Sequence, residues 1–215
     1  MYLSRVEIDS QNRRKIKDLT HVGAYHNWVE QSFPEEQVEG VRSRKLWRID
    51  SIRGKQYLLL VSTQRPDLTS LERYGVEDSA ETKDYEPFLA HLREGQRFSF
   101  RITLNPVIAL SEGEGRRGRV VPHVTVSQQT QFFLDRTKKN GFHVDEKECQ
   151  LVERGYSLLK HGGEKPIRLS RATFEGRLTI VDLETFKETL TKGIGKKKAY
   201  GFGLLTIIPE TPLAL

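Results

Sequence analysis

Two groups of residues in this chain have types and spacings suited to chemistry, and they lie at opposite ends of it. The C-terminal group is Gly193-Ile194-Gly195-Lys196-Lys197-Lys198-Ala199-Tyr200-Gly201-Phe202-Gly203, in which four glycines frame a triple lysine. Glycine accepts positive φ and lets another backbone come close, and lysine brings positive charge. The combination predicts a loop against which a polyanion can lie, with Gly193, Gly195, Gly201 and Gly203 as backbone contacts and Lys196, Lys197 and Lys198 as phosphate contacts. A P-loop or dinucleotide fingerprint runs strand, glycine loop, helix. Here the order is reversed: Asp182–Leu190 reads as a capped helix before the loop, and Phe202–Ile208 as a strand after it. There is also no Gly-Lys-Ser/Thr. That excludes a nucleoside triphosphate site and favours a nucleic-acid backbone. The plain alternative for three lysines in a row is a solvated charge run, and the surrounding glycines weigh against it.

The N-terminal group is His21, Tyr25 and His26. Histidine exchanges a proton near neutral pH. Yet His26 shares a three-four spacing with Leu19, Val22, Val29 and Phe33, and periodicity alone makes it a core or interface histidine. Gly23 would interrupt such a helix and free His26 from the stripe. His21 and Tyr25 are neighbours at i, i+4. His21 and His26 point about 140° apart on a helix and make no metal pair. His91, His123, His143 and His161 have no ligand spacing, and no cluster of carboxylates stands out as a metal nuclease would need. The lone Cys149 excludes an intrachain disulfide and a multi-cysteine zinc site. No metal and no small-molecule cofactor are implied.

A second basic segment lies mid-chain. Glu112–Arg119 holds three glycines and three arginines, Arg116, Arg117 and Arg119, and reads as a flexible basic loop suited to gripping phosphates. Lysine and arginine total 35 against 29 acids, for a net charge of +6 and a pI near 9.4, which favours an anionic partner. The N-terminal residues are charged from the start and lack a signal-peptide core. No stretch approaches 18 uninterrupted apolar residues, so no membrane span is expected. With one cysteine, a reducing cytoplasm fits.

The elements that must position these groups follow from pattern. Tyr2–Asp9 alternates as a strand. Arg13 to about Phe33 is helical in pattern and ends before Pro34. Lys45–Asp50 and Gln56–Ser62 read as strands joined by a hairpin turn at Arg53-Gly54. Asp67–His91 reads as short helices and loops. Arg97–Leu104 alternates, with Phe98, Phe100, Ile102 and Leu104 on one face. Ser127 caps a helix running to about Asn140, stopped by Gly141. Phe142–Leu159 holds one or two strands, and Ile167–Val181 is a long one. The order fits two βαββαβ units in tandem, an α+β fold of ferredoxin-like, RRM-like domains, divided as 1–92 and 93–215. Such a sheet can present a polar face to RNA. The aromatic RRM signature is not evident, which leaves base stacking on the sheet unsupported, and the halves show no sequence repeat.

At this point the chain resembles a family: the CRISPR-associated repeat-processing endoribonucleases, in particular the CasE branch of type I-E systems. The resemblance rests on Met1-Tyr2-Leu3-Ser4-Arg5-Val6, His26, Leu46-Trp47-Arg48, Phe100-Arg101-Ile102-Thr103-Leu104-Asn105-Pro106, Phe174-Glu175-Gly176-Arg177-Leu178, and Gly193-Ile194-Gly195 through Gly201-Phe202-Gly203-Leu204-Leu205. It spans the whole length. It implies paired ferredoxin-like domains and metal-free cleavage of CRISPR repeat RNA beside a stem-loop, leaving a 2′,3′-cyclic phosphate. It also implies retention of the product within the multisubunit Cascade complex of a prokaryotic cytoplasm. His26 becomes the catalytic residue, with Tyr25 orienting it or touching the scissile phosphate. Lys165, Arg168 and Arg171 fall where relatives carry basic residues that touch the stem and the cleaved phosphate. Two positions depart from the pattern. Val107-Ile108 follows Asn-Pro where the family often has a Thr-Lys-type pair, and Gly23 stands where some relatives carry tyrosine. A non-catalytic RNA-binding subunit is the competing reading, and a binder of ordinary single-stranded RNA is a third.

Overall fold

The computed structural model describes residues 1–110, 118–160 and 165–210. The first half runs β1 (Tyr2–Glu7), α1 (Val22–Gln31), α2 (Pro34–Glu39), β2 (Lys45–Ile52), β3 (Lys55–Ser62), α3 (Leu68–Leu71), β4 (Glu81–Asp84) and α4 (Glu86–His91). Its sheet has the order β2-β3-β1-β4, antiparallel throughout. The second half runs β5 (Arg97–Leu104), β6 (Val107–Ala109), β7 (Val120–Pro122), α5 (Val126–Thr137), β8 (Phe142–His143), β9 (Cys149–Leu159), β10 (Ile167–Ile180), α6 (Leu183–Lys192) and β11 (Leu205–Pro209). There β11, β5 and β10 are neighbours, and β8 and β9 both pair with β10. Each sheet thus places the last strand of its unit beside the first and the third beside the second, the ferredoxin-like order, with β8 and β9 sharing the second position. The tandem α+β fold expected from the sequence is the fold observed.

Local chemistry explains the boundaries. Arg53 and Gly54 both have positive φ, 51° and 78°, which suits a two-residue hairpin turn whose twist matches its strands. In β5, Phe98, Phe100, Ile102 and Leu104 are buried as the alternation required. Asp182 caps α6 by accepting from the Thr185 amide.

Three expected boundaries are corrected. The helix expected from Arg13 to Phe33 is α1 alone. Asp9 and Asn12 instead hold the preceding residues in turns, their side chains accepting from the amides of Asn12 and Lys15. His21 is extended, with φ −158° and ψ 159°; α1 does end before Pro34, as expected, and Pro34 opens a separate helix, α2. Proline's missing N–H costs nothing in a first turn. The cap of α5 is Thr125 rather than Ser127, in a reciprocal capping box with Gln128. The last strand begins at Leu205, because Gly203 at φ 85° interrupts the extended run from Phe202.

Two apolar clusters hold the fold. The smaller packs Trp28, Val29 and Phe33 of the α1 region against Val6, Trp47, Leu58 and Leu60. Both tryptophans are core. The larger packs Phe132, Phe133, Phe186 and Leu190 against Phe98, Phe100, Ile102, Phe174 and Leu178, and it also takes in Leu46, Val61, Leu89 and Leu92 from the first half. A third, small group joins Leu159, Leu169 and Phe202, with Val22 and Tyr200 against it. This group ties the N-terminal end of α1 to the β9–β10 hairpin and the glycine loop.

Candidate functional site

His26 lies on α1, inside an unbroken helix. Gly23 occupies the first turn without interrupting it, so His26 keeps its place in the stripe, at the stripe's edge. Val29 and Phe33 are buried, while the His26 side chain is 29% exposed. Its ring meets Tyr200 edge-on, with centroids 5.5 Å apart. Tyr200 comes from the glycine loop, and α1 and the loop's short 3-10 turn, Lys198–Tyr200, are in contact. The two chemically suggestive groups at opposite ends of the sequence therefore meet in space.

Burial pushes the imidazole pKa of His26 down, and Arg42 and Lys45 push the same way, against Glu30. Glu30 Oε1 is 3.8 Å from His26 Nδ1. A neutral imidazole results at neutral pH, the form that accepts a proton. Glu30 itself is 3.4 Å from the buried Lys45 ammonium, which also pairs with Glu36. Burial would raise the Glu36 carboxyl, but hydrogen bonds from Lys45 and Ser43 outweigh it and hold the group below its usual range.

Tyr25 stacks on Trp47 at 5.9 Å and lies near Trp28. Burial raises its phenol pKa. These contacts are packing, and among the described residues no ring contact of Tyr25 with His26 accompanies them. Tyr25 seats α1 on β2, and through α1 it sets where His26 points.

The glycine loop is built around contacts within the chain. Gly193, Gly195, Gly201 and Gly203 all have φ between 72° and 85°. A Cβ on Gly201 would meet the Trp47 ring at 2.8 Å, and one on Gly193 would meet Leu46 Cδ2 at 2.7 Å. One on Gly203 would run into the Ile194 carbonyl. Trp47 Nε1 donates to the Ala199 carbonyl at 2.9 Å. Glycine is needed here so that the loop can close on β2. Of the three lysines, Lys196 and Lys197 are exposed, and Lys197 Nζ lies 5.7 Å from the centre of the Tyr200 ring. Lys198 turns inward and donates to the carbonyls of Lys192 and Gly193 at the end of α6, where a cation suits the helix dipole. Burial, then the nearby Arg44, lowers its pKa.

The remaining candidates spread along the β9–β10 hairpin and its surroundings. Lys165 and Arg168 are exposed. Arg171 pairs with Glu153 at 2.6 Å. Strand alternation puts Arg168 and Arg171 on opposite faces of β10, so they cannot serve one contact together. Arg119 is exposed just before β7, its carbonyl accepting from the Leu110 amide at 2.9 Å. Arg116 and Arg117 lie outside the described residues. Among the described residues no three His, Cys, Asp or Glu side chains are grouped as metal ligands, and no helix is long and apolar enough to cross a membrane. Sequence reasoning passed over Glu30, Arg42, Arg44 and Tyr200. The i, i+4 spacing from His26 could have found Glu30, and the glycine frame could have found Tyr200. Arg42 and Arg44 have no motif around them.

Two ferredoxin-like units in tandem, with a half-buried histidine facing a basic glycine loop across their seam, define a class of α+β protein. Within that class, the profile of the CRISPR associated protein family matches residues 1–209, and the chain belongs to that family. It is 29% identical to the CRISPR-associated endoribonuclease Cse3 of Thermus thermophilus, over 97% of this chain and all of that one. It is 28% identical to the Cascade subunit CasE of Escherichia coli K12, again over 97% of this chain and all of the relative. Among solved structures, Cse3 bound to a 19-nucleotide RNA superposes with a TM-score of 0.79 at 28% identity, covering 97% of this chain and 100% of that one. Cse3 of T. thermophilus bound to an RNA representing a pre-cleavage complex superposes with a TM-score of 0.78 at 26% identity, covering 97% and 98%.

Proposed function

We propose that this chain is an endoribonuclease that cuts CRISPR repeat RNA beside its stem-loop without a metal ion and remains with the product as a Cascade subunit. The observation that carries the reading is His26. It is a half-buried imidazole kept neutral by burial, with Arg42 and Lys45 acting the same way, and it meets Tyr200 of the glycine loop edge-on. It stands in a chain as long as its endoribonuclease relative. His26 takes the proton of the 2′-OH. The 2′ oxygen attacks phosphorus, the bond from phosphorus to the 5′ oxygen breaks, and that oxygen leaves with a proton from solvent water, to which His26 returns the proton it took. The products are a 2′,3′-cyclic phosphate and a 5′-hydroxyl. A placed base of this kind contributes about 10²–10⁴-fold, and nearby cations stabilise the charge gathering on the phosphoryl oxygens.

In this reading Tyr25 orients His26 through α1. Lys196 and Lys197 meet backbone phosphates, and Arg116, Arg117, Arg119, Lys165, Arg168 and Arg171 grip the stem, whose A-form surface is read through phosphate and 2′-OH. Residues 1–92 and 93–215 are the two domains, and the protein works in a prokaryotic cytoplasm. The test is incubation with the repeat RNA of the adjacent CRISPR array. The wild type should yield a cyclic-phosphate end with or without EDTA. His26→Ala should bind the hairpin and leave it whole. Cleavage lost with EDTA removes the metal-free mechanism, undiminished cleavage by His26→Ala removes His26, and tight binding of intact RNA by the wild type makes the chain a binding subunit instead.

A further inference from the structure

Unpaired positive charge lies beside Glu30, one turn from His26, in the residues leading into β2 and outside the triple lysine. There, alternate side chains turn opposite ways. Ser43 and Lys45 turn inward: the Ser43 amide and hydroxyl both donate to Glu36, and Lys45 pairs with Glu36 and Glu30. Arg42 and Arg44 turn outward and are exposed. Neither guanidinium makes a hydrogen bond or ion pair among the described residues. With Glu30, Lys45 and Ala199 they line a pocket of about 220 Å³. The Glu30 carboxylate in that pocket is already engaged by Lys45 and faces His26, so it does not neutralise the arginines. Arg42 makes itself felt at His26 within the first unit, and Arg44 at Lys198 across the seam.

The placement along α1 gives this pair a direction. Val22, at the helix start, packs with Leu159 and Leu169, so the hairpin end bearing Lys160, Lys165 and Arg168 is at that side. Glu30, near the other end, is beside Arg42 and Arg44. His26 lies between them, about 6 Å along the helix from each. A strand crossing His26 therefore leaves one basic set and enters another. We infer that Arg42 and Arg44 form a second phosphodiester subsite, holding the RNA strand that continues past the cut, away from the stem-loop. The guanidinium fork matches a phosphate with two parallel N–H donors. The inference rests on the function proposed above.

Two RNAs separate this subsite from general electrostatic attraction. One is the repeat hairpin ending at the cleavage site. The other continues several nucleotides beyond it, with a 2′-deoxy sugar at the scissile position so that it cannot be cut. The double variant Arg42→Ala/Arg44→Ala should bind the hairpin as the wild type does, which also shows that it folds. On the extended RNA its salt dependence should lose about 0.7 in log–log slope per arginine, with affinity falling several-fold at low salt. Equal losses on both RNAs, or no loss on the extended one, overturn the subsite. If the wild type fails to cut the all-ribose extended RNA, it is the proposed function that falls, and the two failures are distinguishable.

Discussion

At the scale of the residue, His26 owes its neutrality mainly to its place. Burial is the largest influence on it, and Glu30 is the one group pulling the other way. The sign of the pH dependence follows. In the general-base role proposed above His26 works only when deprotonated, so single-turnover cleavage should rise about tenfold per pH unit on the acid side and level off above its pKa. The midpoint should fall below the ordinary histidine value of about 6.5. Glu30→Gln removes the only influence that raises the pKa, so the acid limb should move to still lower pH while the plateau changes less. A wild-type midpoint above about 6.5, or an acid limb that Glu30→Gln moves upward, contradicts this account. Tyr25 illustrates the other kind of residue. Its ring is committed to Trp47, so replacing it loosens the seat of the helix on which His26 is carried.

At the scale of the element, what was legible in the sequence depended on how local its cause is. The alternation of β5, the Asp182 cap of α6 and the Gly141 stop are decided within a few residues, and pattern showed them. Residues 13–21 were misread as helix because the turns there rest on Asp9 and Asn12 side chains competing for backbone amides, which a three-four spacing does not register. The glycine loop was recognised as a loop, but the reason for its glycines was not, because Trp47 is some 150 residues away in sequence. That reason is testable by comparing two alanines. Gly201→Ala meets both a positive φ of 82° and the Trp47 ring at 2.8 Å. Gly195→Ala meets a φ of 83° but nothing nearer than Leu104 Cδ2 at 3.7 Å. Left-handed backbone at a non-glycine residue costs about 1–3 kcal/mol, and for a chain this long each kcal/mol lowers Tm by about 2–4 °C. Gly201→Ala should be clearly the less stable and should also lose cleavage, because the loop carries Tyr200 against His26. Equal melting temperatures would show that closure on Trp47 does not shape the loop.

At the scale of the whole molecule, the site exists only because the two sheets are held in one arrangement, since α1 belongs to the first and the glycine loop to the second. Composition announced an anionic partner, but nothing in the sequence pattern showed this junction. Its centre is Arg48, which is 2% exposed. The guanidinium makes two 2.7 Å bonds to Asp50. It also donates to the Arg101 and Leu204 carbonyls and to the Thr206 hydroxyl. All five of its N–H groups are thus matched, two within β2 and three across to β5, β11 and the residue before β11. Without Arg48, the buried Asp50 carboxylate keeps only its 3.2 Å contact with Arg101 Nε, and removing one partner of a buried pair costs about 3–5 kcal/mol, less where such a second partner remains. Arg48→Met should therefore lower the unfolding free energy by an amount toward the bottom of that range, read from a fall in the urea midpoint at unchanged m, and Arg48→Lys should not rescue it, because one ammonium cannot reproduce the planar fork. Arg48→Met/Asp50→Leu should recover part of the loss by removing the under-partnered carboxylate, since Arg101 keeps Glu175. Cleavage should fall in Arg48→Met even under conditions where it remains folded, because the seam between α1 and the loop is no longer held. If Arg48→Met loses under about 1 kcal/mol and cleaves as the wild type does, the apolar contacts of Leu46 and Trp47 hold the sheets together without it.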